Sequence, residues 1–194
     1  MKKILFAIGM FVTLSLTGCG YNDLQVKDED VSASWAEVTN QYKRRSDLIP
    51  SIVETVKGET AFEKDTLTNV IEARAKATAV KIDASNLTEE SMAKFQRAQG
   101  DLTTALGKLM VVSEQYPQLK ANKAFSDLRV ELEGTENRIA VARNRYIDKV
   151  KEFNLVVRKF PTNLTAKMFD YKTKPQLQVD EKEMEKPVVN FSGK

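Results

Sequence analysis

The chain of 194 residues contains no histidine and a single cysteine. Without histidine there can be no Ser-His-Asp triad, no H-E-x-x-H zinc helix and no Glu-x-x-His pair of the kind that holds di-iron centres in helical bundles. One cysteine, Cys19, rules out an intramolecular disulfide, so the fold rests on packing alone. Neither a G-x-x-x-x-G-K-[ST] phosphate loop nor a G-x-G-x-x-G turn occurs. Helix breakers are scarce: residues 28–160 hold only Pro50 and Pro117, and no alternating β-branched run reads as a strand. No apolar run is long enough to span a bilayer. The longest, Ile4–Leu16, has thirteen residues; as a helix it reaches ~20 Å, short of the ~30 Å hydrocarbon core. Excess charge is also missing, since the formal +3 includes Lys2 and Lys3. That near-neutral balance argues against nucleic acid as a partner.

What is present begins at the N-terminus. Lys2 and Lys3 precede the apolar run, and Leu16-Thr17-Gly18 leads into Cys19. A charged front, a short apolar middle and a small-residue exit form an export signal. With the cysteine at the exit, the segment resembles a bacterial lipoprotein signal. That resemblance implies that residues 1–18 are removed and that Cys19 is acylated on sulfur and on its new amino group. Several acyl chains give the durable attachment that one chain does not. An ordinary cleaved signal with a free thiol, or an uncleaved anchor, is the alternative. The expected localisation is the cell envelope, on the extracytoplasmic side of a membrane, with the lipid anchor and unidentified envelope proteins as partners.

Beyond the leader, residues 19–27 read as a tether, residues 28–170 as the folded unit and residues 171–194 as a flexible extension whose acidic residues offset its lysines. Within the unit, steps of four and three link Val31, Trp35, Val38, Tyr42, Arg45, Ile49, Ile52 and Val56, one face of an amphipathic helix. Pro50 lacks the N–H that would bond the Ser46 carbonyl, yet the stripe keeps its phase across it, which predicts a kinked but continuous helix. After Gly58, Thr60 and Glu63 have capping-box spacing before a second helix with Phe62, Leu67, Val70, Ile71, Arg74 and Ala77 on one face. Asn86 or Thr88 caps a third, with Met92, Phe95, Gln99, Leu102, Leu106 and Leu109 aligned. Asn122 caps a fourth, very long one bearing Phe125, Leu128, Leu132, Thr135, Ile139, Ala142, Tyr146, Val150, Phe153, Val157 and Phe160. A short helix near 163–169 follows Pro161. Four amphipathic helices with short connections predict an all-α, antiparallel up-and-down four-helix bundle.

Several long segments are similar to the LemA family: Tyr21-Asn22-x-Leu24, RRSDLIPSIVETVKG (44–58), IEARAKA (71–77), YPQLKAN (116–122), ELEGTENRIAVARNRY (131–146), FN (153–154) and FPTNLTAKMF (160–169). The resemblance covers nearly the whole mature chain. It implies a small, membrane-attached, bundle-type protein whose biochemical activity is not established. Many members have an N-terminal transmembrane helix, where this sequence offers a lipidation signal.

No catalytic residue, cofactor site or metal ligand stands out from the carboxylates, lysines and hydroxyls that any helix surface carries. Asn86-Leu87-Thr88 and Asn163-Leu164-Thr165 match glycosylation sequons and read as caps or turns. Lys43-Arg44-Arg45 and the group Arg138, Arg143, Arg145, Lys149 and Lys151 read as a solvated face paired with Glu and Asp, with anionic lipid headgroups as the alternative. Arg45 is the anomaly, a guanidinium on an apolar seam that must be paired if buried. Hairpin arithmetic places it opposite Glu72, as a polar pair fixing register. The function expected is a lipid-anchored, non-enzymatic scaffold or sensor working through protein contacts. The alternatives are an envelope hydrolase using carboxylates and a module binding anionic membrane surfaces.

Overall fold

The computed structural model describes residues 2–58, 62–84 and 87–177, with side chains from Gly20 onward. Among the described residues there are six helices and no strand: α1 (Lys2–Lys57), α2 (Lys64–Ala79), α3 (Glu89–Ser113), α4 (Pro117–Ala121), α5 (Lys123–Arg158) and α6 (Thr162–Met168). The long helices α1 and α5 lie against each other, and α2 pairs with α3. Ion pairs fix the sense of the first contact as antiparallel. Lys27 meets Glu152, Asp30 meets Lys149, Glu37 meets Arg145 and Arg44 meets Glu131, so α5 descends as α1 rises.

The expected stripe on α1 is buried throughout, from Val31 to Val56. The helix runs unbroken through Pro50. The carbonyl that Pro50 leaves free is taken from another helix: Arg74 Nε on α2 donates to Ser46 O at 2.8 Å. All six residues expected on the inner face of α3 are buried as well. Its cap is Thr88, in a reciprocal capping box with Ser91. The Asn122 side-chain oxygen Oδ1 likewise accepts from the Ala124 and Phe125 amides at the start of α5. Thr60 and Asn86, the other expected caps, lie outside the described residues. Glu63 occupies the α2 cap position without a side-chain cap bond, and its carboxylate accepts from the Thr66 hydroxyl.

The packed body exceeds the expected limits at both ends. Residues 20–27 are not a tether: they continue α1, and Leu24, one heptad before Val31, is completely buried. Gly20 passes so close to α6 that a Cβ there would lie 2.9 Å from the Thr162 methyl. At the other end, residues 171–177 return along the body. Asn154 exchanges two hydrogen bonds with the Lys174 backbone (2.9 and 2.8 Å), the Tyr146 hydroxyl donates to Pro175 O, and Leu177 is buried.

Two other expectations change. On α2, Thr66 and Ala73 face inward while Ile71 is exposed, because the buried face is rotated toward α3. Phe160 is also exposed, since α5 ends at Arg158 and the chain turns away before completing the stripe. The one-turn helix α4 lies in the link between α3 and α5, where the sequence pattern marks no element.

Candidate functional site

The interior consists of two apolar clusters. One gathers Ile49, Ile52, Val53 and Val56 with α2, the later part of α3 and Phe125 and Leu132 of α5. The other gathers Leu24, Val31, Trp35, Val38 and Tyr42 with Met92, Phe95 and the stretch of α5 from Ile139 to Phe153. Trp35 is the hub of the second cluster, with ring centroids 5.3 Å from both Phe95 and Tyr146. On each helix the change of cluster falls at a polar residue: Arg45 on α1, Gln99 on α3, Thr135 on α5.

Arg45 is 1% exposed and organises that layer. Nη1 donates to Thr103 Oγ1 and to Glu136 Oε1, both at 2.8 Å. Nη2 donates to the side-chain oxygen of Gln99 at 2.6 Å and to its backbone carbonyl at 3.2 Å. The guanidinium carbon sits 5.0 Å from the Tyr42 ring centroid. Only Nε has no hydrogen-bond partner. The fork geometry of guanidinium suits this convergence, and a lysine ammonium could not match it. Gln99 extends the layer to α2 by donating to the Ala77 carbonyl at 3.4 Å.

The expected partner is corrected. Glu72 is exposed on α2, and the carboxylate that neutralises Arg45 is Glu136 of α5. Counting residues back from a hairpin turn assumes that consecutive helices meet face to face at the seam. Here α1 makes its main contact with α5 instead. The signal was available in Gln99 and Thr135, two polar residues already aligned on the inner stripes of α3 and α5.

The basic residues of α5 are largely engaged. Lys149 Nζ lies 3.1 Å from Asp30 and 3.5 Å from Glu152, and Arg145 lies 2.5 Å from Glu37. Hydrogen bonding to Asp30 raises the Lys149 pKa, and Lys27 lowers that of Glu152. These pairs are partly exposed, so each is worth little singly and the row matters mainly for alignment. Lys174 pairs with Asp28 and lies over the Phe153 ring, tying the returning chain to the same row. Burial pushes the Tyr146 hydroxyl well above its ordinary pKa, which keeps it a neutral donor to Pro175.

A polar pocket opens where α3, α4 and α5 meet, lined by Ser113, Glu114, Lys120, Phe125, Ser126 and Arg129. Glu114 lies 2.6 Å from Lys120 and 3.3 Å from Arg129. The hydrogen bond from Lys120 holds its carboxyl below the ordinary range. Among the described residues no three or more His, Cys, Asp or Glu are grouped to hold a metal ion. Nor is any helix there long and apolar enough to cross a membrane. The side chain of Cys19 lies outside the described residues.

The model of the LemA family matches residues 34–191, well over half of the chain. Among curated proteins, Protein LemA of Metamycoplasma hominis is 22% identical over 174 residues, covering 88% of this chain and 76% of its own length. Magnetosome protein MamQ 2 of Paramagnetospirillum magneticum is 24% identical over 187 residues, covering 88% of this chain and 68% of its own. A shorter match, 29% identical over 75 residues, is to Magnetosome protein MamQ of Magnetospirillum gryphiswaldense; it covers 39% of this chain and 28% of that protein.

Proposed function

The chain belongs to the LemA family, and on that premise we propose that it is a lipid-anchored protein of the cell envelope that acts without catalysis, as a scaffold or sensor working through protein contacts. In this reading α1, α2, α3 and α5 are the four helices of an up-and-down bundle, and α4 and α6 are short additions to it. The observation that carries the proposal is α1 itself. A single helix joins the apolar leader to both interior clusters and is aligned with α5 by ion pairs along most of its folded length. Such a rod transmits position and orientation from a membrane attachment to the far end of the body. It offers little to chemistry.

The hydrolase alternative needs a carboxyl group whose pKa is raised so that it can donate a proton near neutral pH. The pocket carboxylate Glu114 is shifted the opposite way by its cationic neighbours, as is Glu152 in the row. Both favour the ionised form, which suits ion pairing.

The test is metabolic labelling with an acyl probe in cells, followed by membrane fractionation and crosslinking. Wild type should carry label and sediment with membranes, while Cys19→Ser should lose the label and either leave the membrane or persist as uncleaved precursor. Label on the Cys19→Ser chain, or none on the wild type, would overturn the lipid anchor. Recovery of one defined crosslinked envelope protein with wild type, lost with the unlabelled variant, would support the contact role.

A further inference from the structure

The end of the body beside the leader carries an apolar surface that none of the described residues covers. Phe160, Leu164 and Met168 are 74%, 61% and 72% exposed, and Phe169 beside them is 53% exposed. Leu164 and Met168 are four residues apart on α6 and share one face, and Phe160 lies in the turn that leads into that helix. Ala166 faces the other way and is buried in the body. Phe169 is held in place by Tyr21 of α1, with ring centroids 4.7 Å apart. Four large apolar side chains exposed on one short segment are a feature that marks an interaction surface.

Its position says what covers it. Gly20 touches Thr162 and Thr165, so α1 leaves the body directly against α6. The apolar run Ile4–Leu16 ends four residues before Gly20 on the same helix, ~6 Å of helix rise away. Any bilayer that takes up the leader, or the acyl chains on Cys19 once the leader is removed, therefore lies within about one helical turn of α6. The rim suits that neighbour: from 158 to 172 the chain carries Arg158, Lys159, Lys167 and Lys172 against one carboxylate, Asp170, which pairs with Lys172 at 3.3 Å. Apolar and aromatic side chains ringed by lysine are the composition of a segment lying in a membrane interface, with cations drawn to anionic headgroups.

We infer that α6 and its flanks are a second membrane contact, a seat that rests in the headgroup region of an anionic bilayer and fixes the tilt of the body relative to its anchor. The inference rests on the anchored reading above. A tether alone would let the body swing. Gly20 packed on α6, with the α6 patch in the interface, gives two points of attachment at one end and points the α4 end of the body away from the membrane.

The test uses the full acylated chain in vesicles of phosphatidylcholine mixed with phosphatidylglycerol, with tryptophan placed at Leu164 (Leu164→Trp) or, as a remote control, at Val141 (Val141→Trp). Native Trp35 is 2% exposed and serves as an internal unquenched reference. Brominated lipids should quench the Leu164→Trp emission and shift it to the blue, and leave Val141→Trp unaffected. Met168→Trp gives the same readout at a second exposed position should the first variant fold poorly. Vesicle flotation without quenching at either α6 position would overturn the seat while leaving the anchor standing. Failure of the wild type to float would overturn both. Equal quenching at Val141 would refute a defined orientation. A blue shift that depends on protein concentration and persists without lipid would assign the patch to a second copy of the chain and overturn the membrane assignment.

Discussion

Arg45 and Glu136 provide a direct test of the layer between the two apolar clusters. Removing one partner of a buried ion pair typically costs ~3–5 kcal/mol, because the other charge is left without its compensation. The pair here is asymmetric, with side-chain exposures of 1% for Arg45 and 38% for Glu136. In Arg45→Met the freed Glu136 carboxylate can turn to water, but the Gln99 side-chain oxygen loses its donor inside the body. That places the loss near the lower end of the range, ~3 kcal/mol. Glu136→Leu leaves a guanidinium sealed among neutral acceptors and should cost at least as much. With both replaced, the double variant should lose less than the sum by at least ~1 kcal/mol. Glu72→Leu is the control: it changes an exposed residue, should fall within ~0.5 kcal/mol of wild type, and should add independently to Arg45→Met. Urea unfolding of the full chain in mild detergent, followed by helical circular dichroism, measures wild type, the three single variants and the two double variants. Additive losses at Arg45 and Glu136, or a coupling between Arg45 and Glu72, would refute the layer as described.

A second cycle joins Pro50 to Arg74: Arg74→Met should cost ~1 kcal/mol through the unsatisfied Ser46 carbonyl, and less in a Pro50→Ala background, where the new amide N–H can reach that carbonyl; equal losses in the two backgrounds would dismiss the assignment. Gly20→Val should push against Thr162 and speed hydrogen exchange across α6 while leaving α3 protected; unchanged α6 exchange would mean the helices separate without cost. Stability should be level from about pH 6 to 9, because the chain has no histidine to titrate there. It should fall in acid below the ordinary glutamate range, where protonation of Glu152 and Glu114, both lowered in the fold, removes their pairs, and fall again in strong base as Lys149, raised in the fold, loses its proton. Thermal melts across pH check both limbs, and a transition centred near neutrality would contradict them.

The four long helices, their phase and most of their inner faces were legible in the sequence because each depends on residues within a turn or two of one another. A stripe repeating at 3.6 residues has to be buried somewhere, whatever it packs against, so α1, α3 and α5 could be read without knowing their neighbours. The two ends of the body were less legible. Leu24 carried the α1 stripe one heptad further, but a lone leucine between polar residues has too little local context to outweigh a tether. Residues 171–177 dock through backbone groups caught by Asn154 and Tyr146, and a stripe of apolar side chains cannot announce such contacts. Phe160 illustrates the converse error: periodicity extrapolates past the last helical residue, whereas the chain does not.

The partner of Arg45 depended on which helices touch, and periodicity alone says nothing about that. The α5 sequence does explain why the register, once formed, holds. Sliding α5 by one heptad in either direction would bring Arg129 or Arg143 to the place of Glu136, setting a second guanidinium beside the buried Arg45 and leaving it without its carboxylate. The apolar clusters on either side would tolerate such a slip far better, since leucine, isoleucine and valine exchange at modest cost. The polar layer therefore makes its contribution in discrimination between registers more than in gross stability, the role best attested for buried polar groups on helical seams. Register matters here because α1 carries the attachment: a slip of one heptad would move α5, and α6 with it, by ~10 Å along α1 and lift the exposed cap away from the point where the leader emerges.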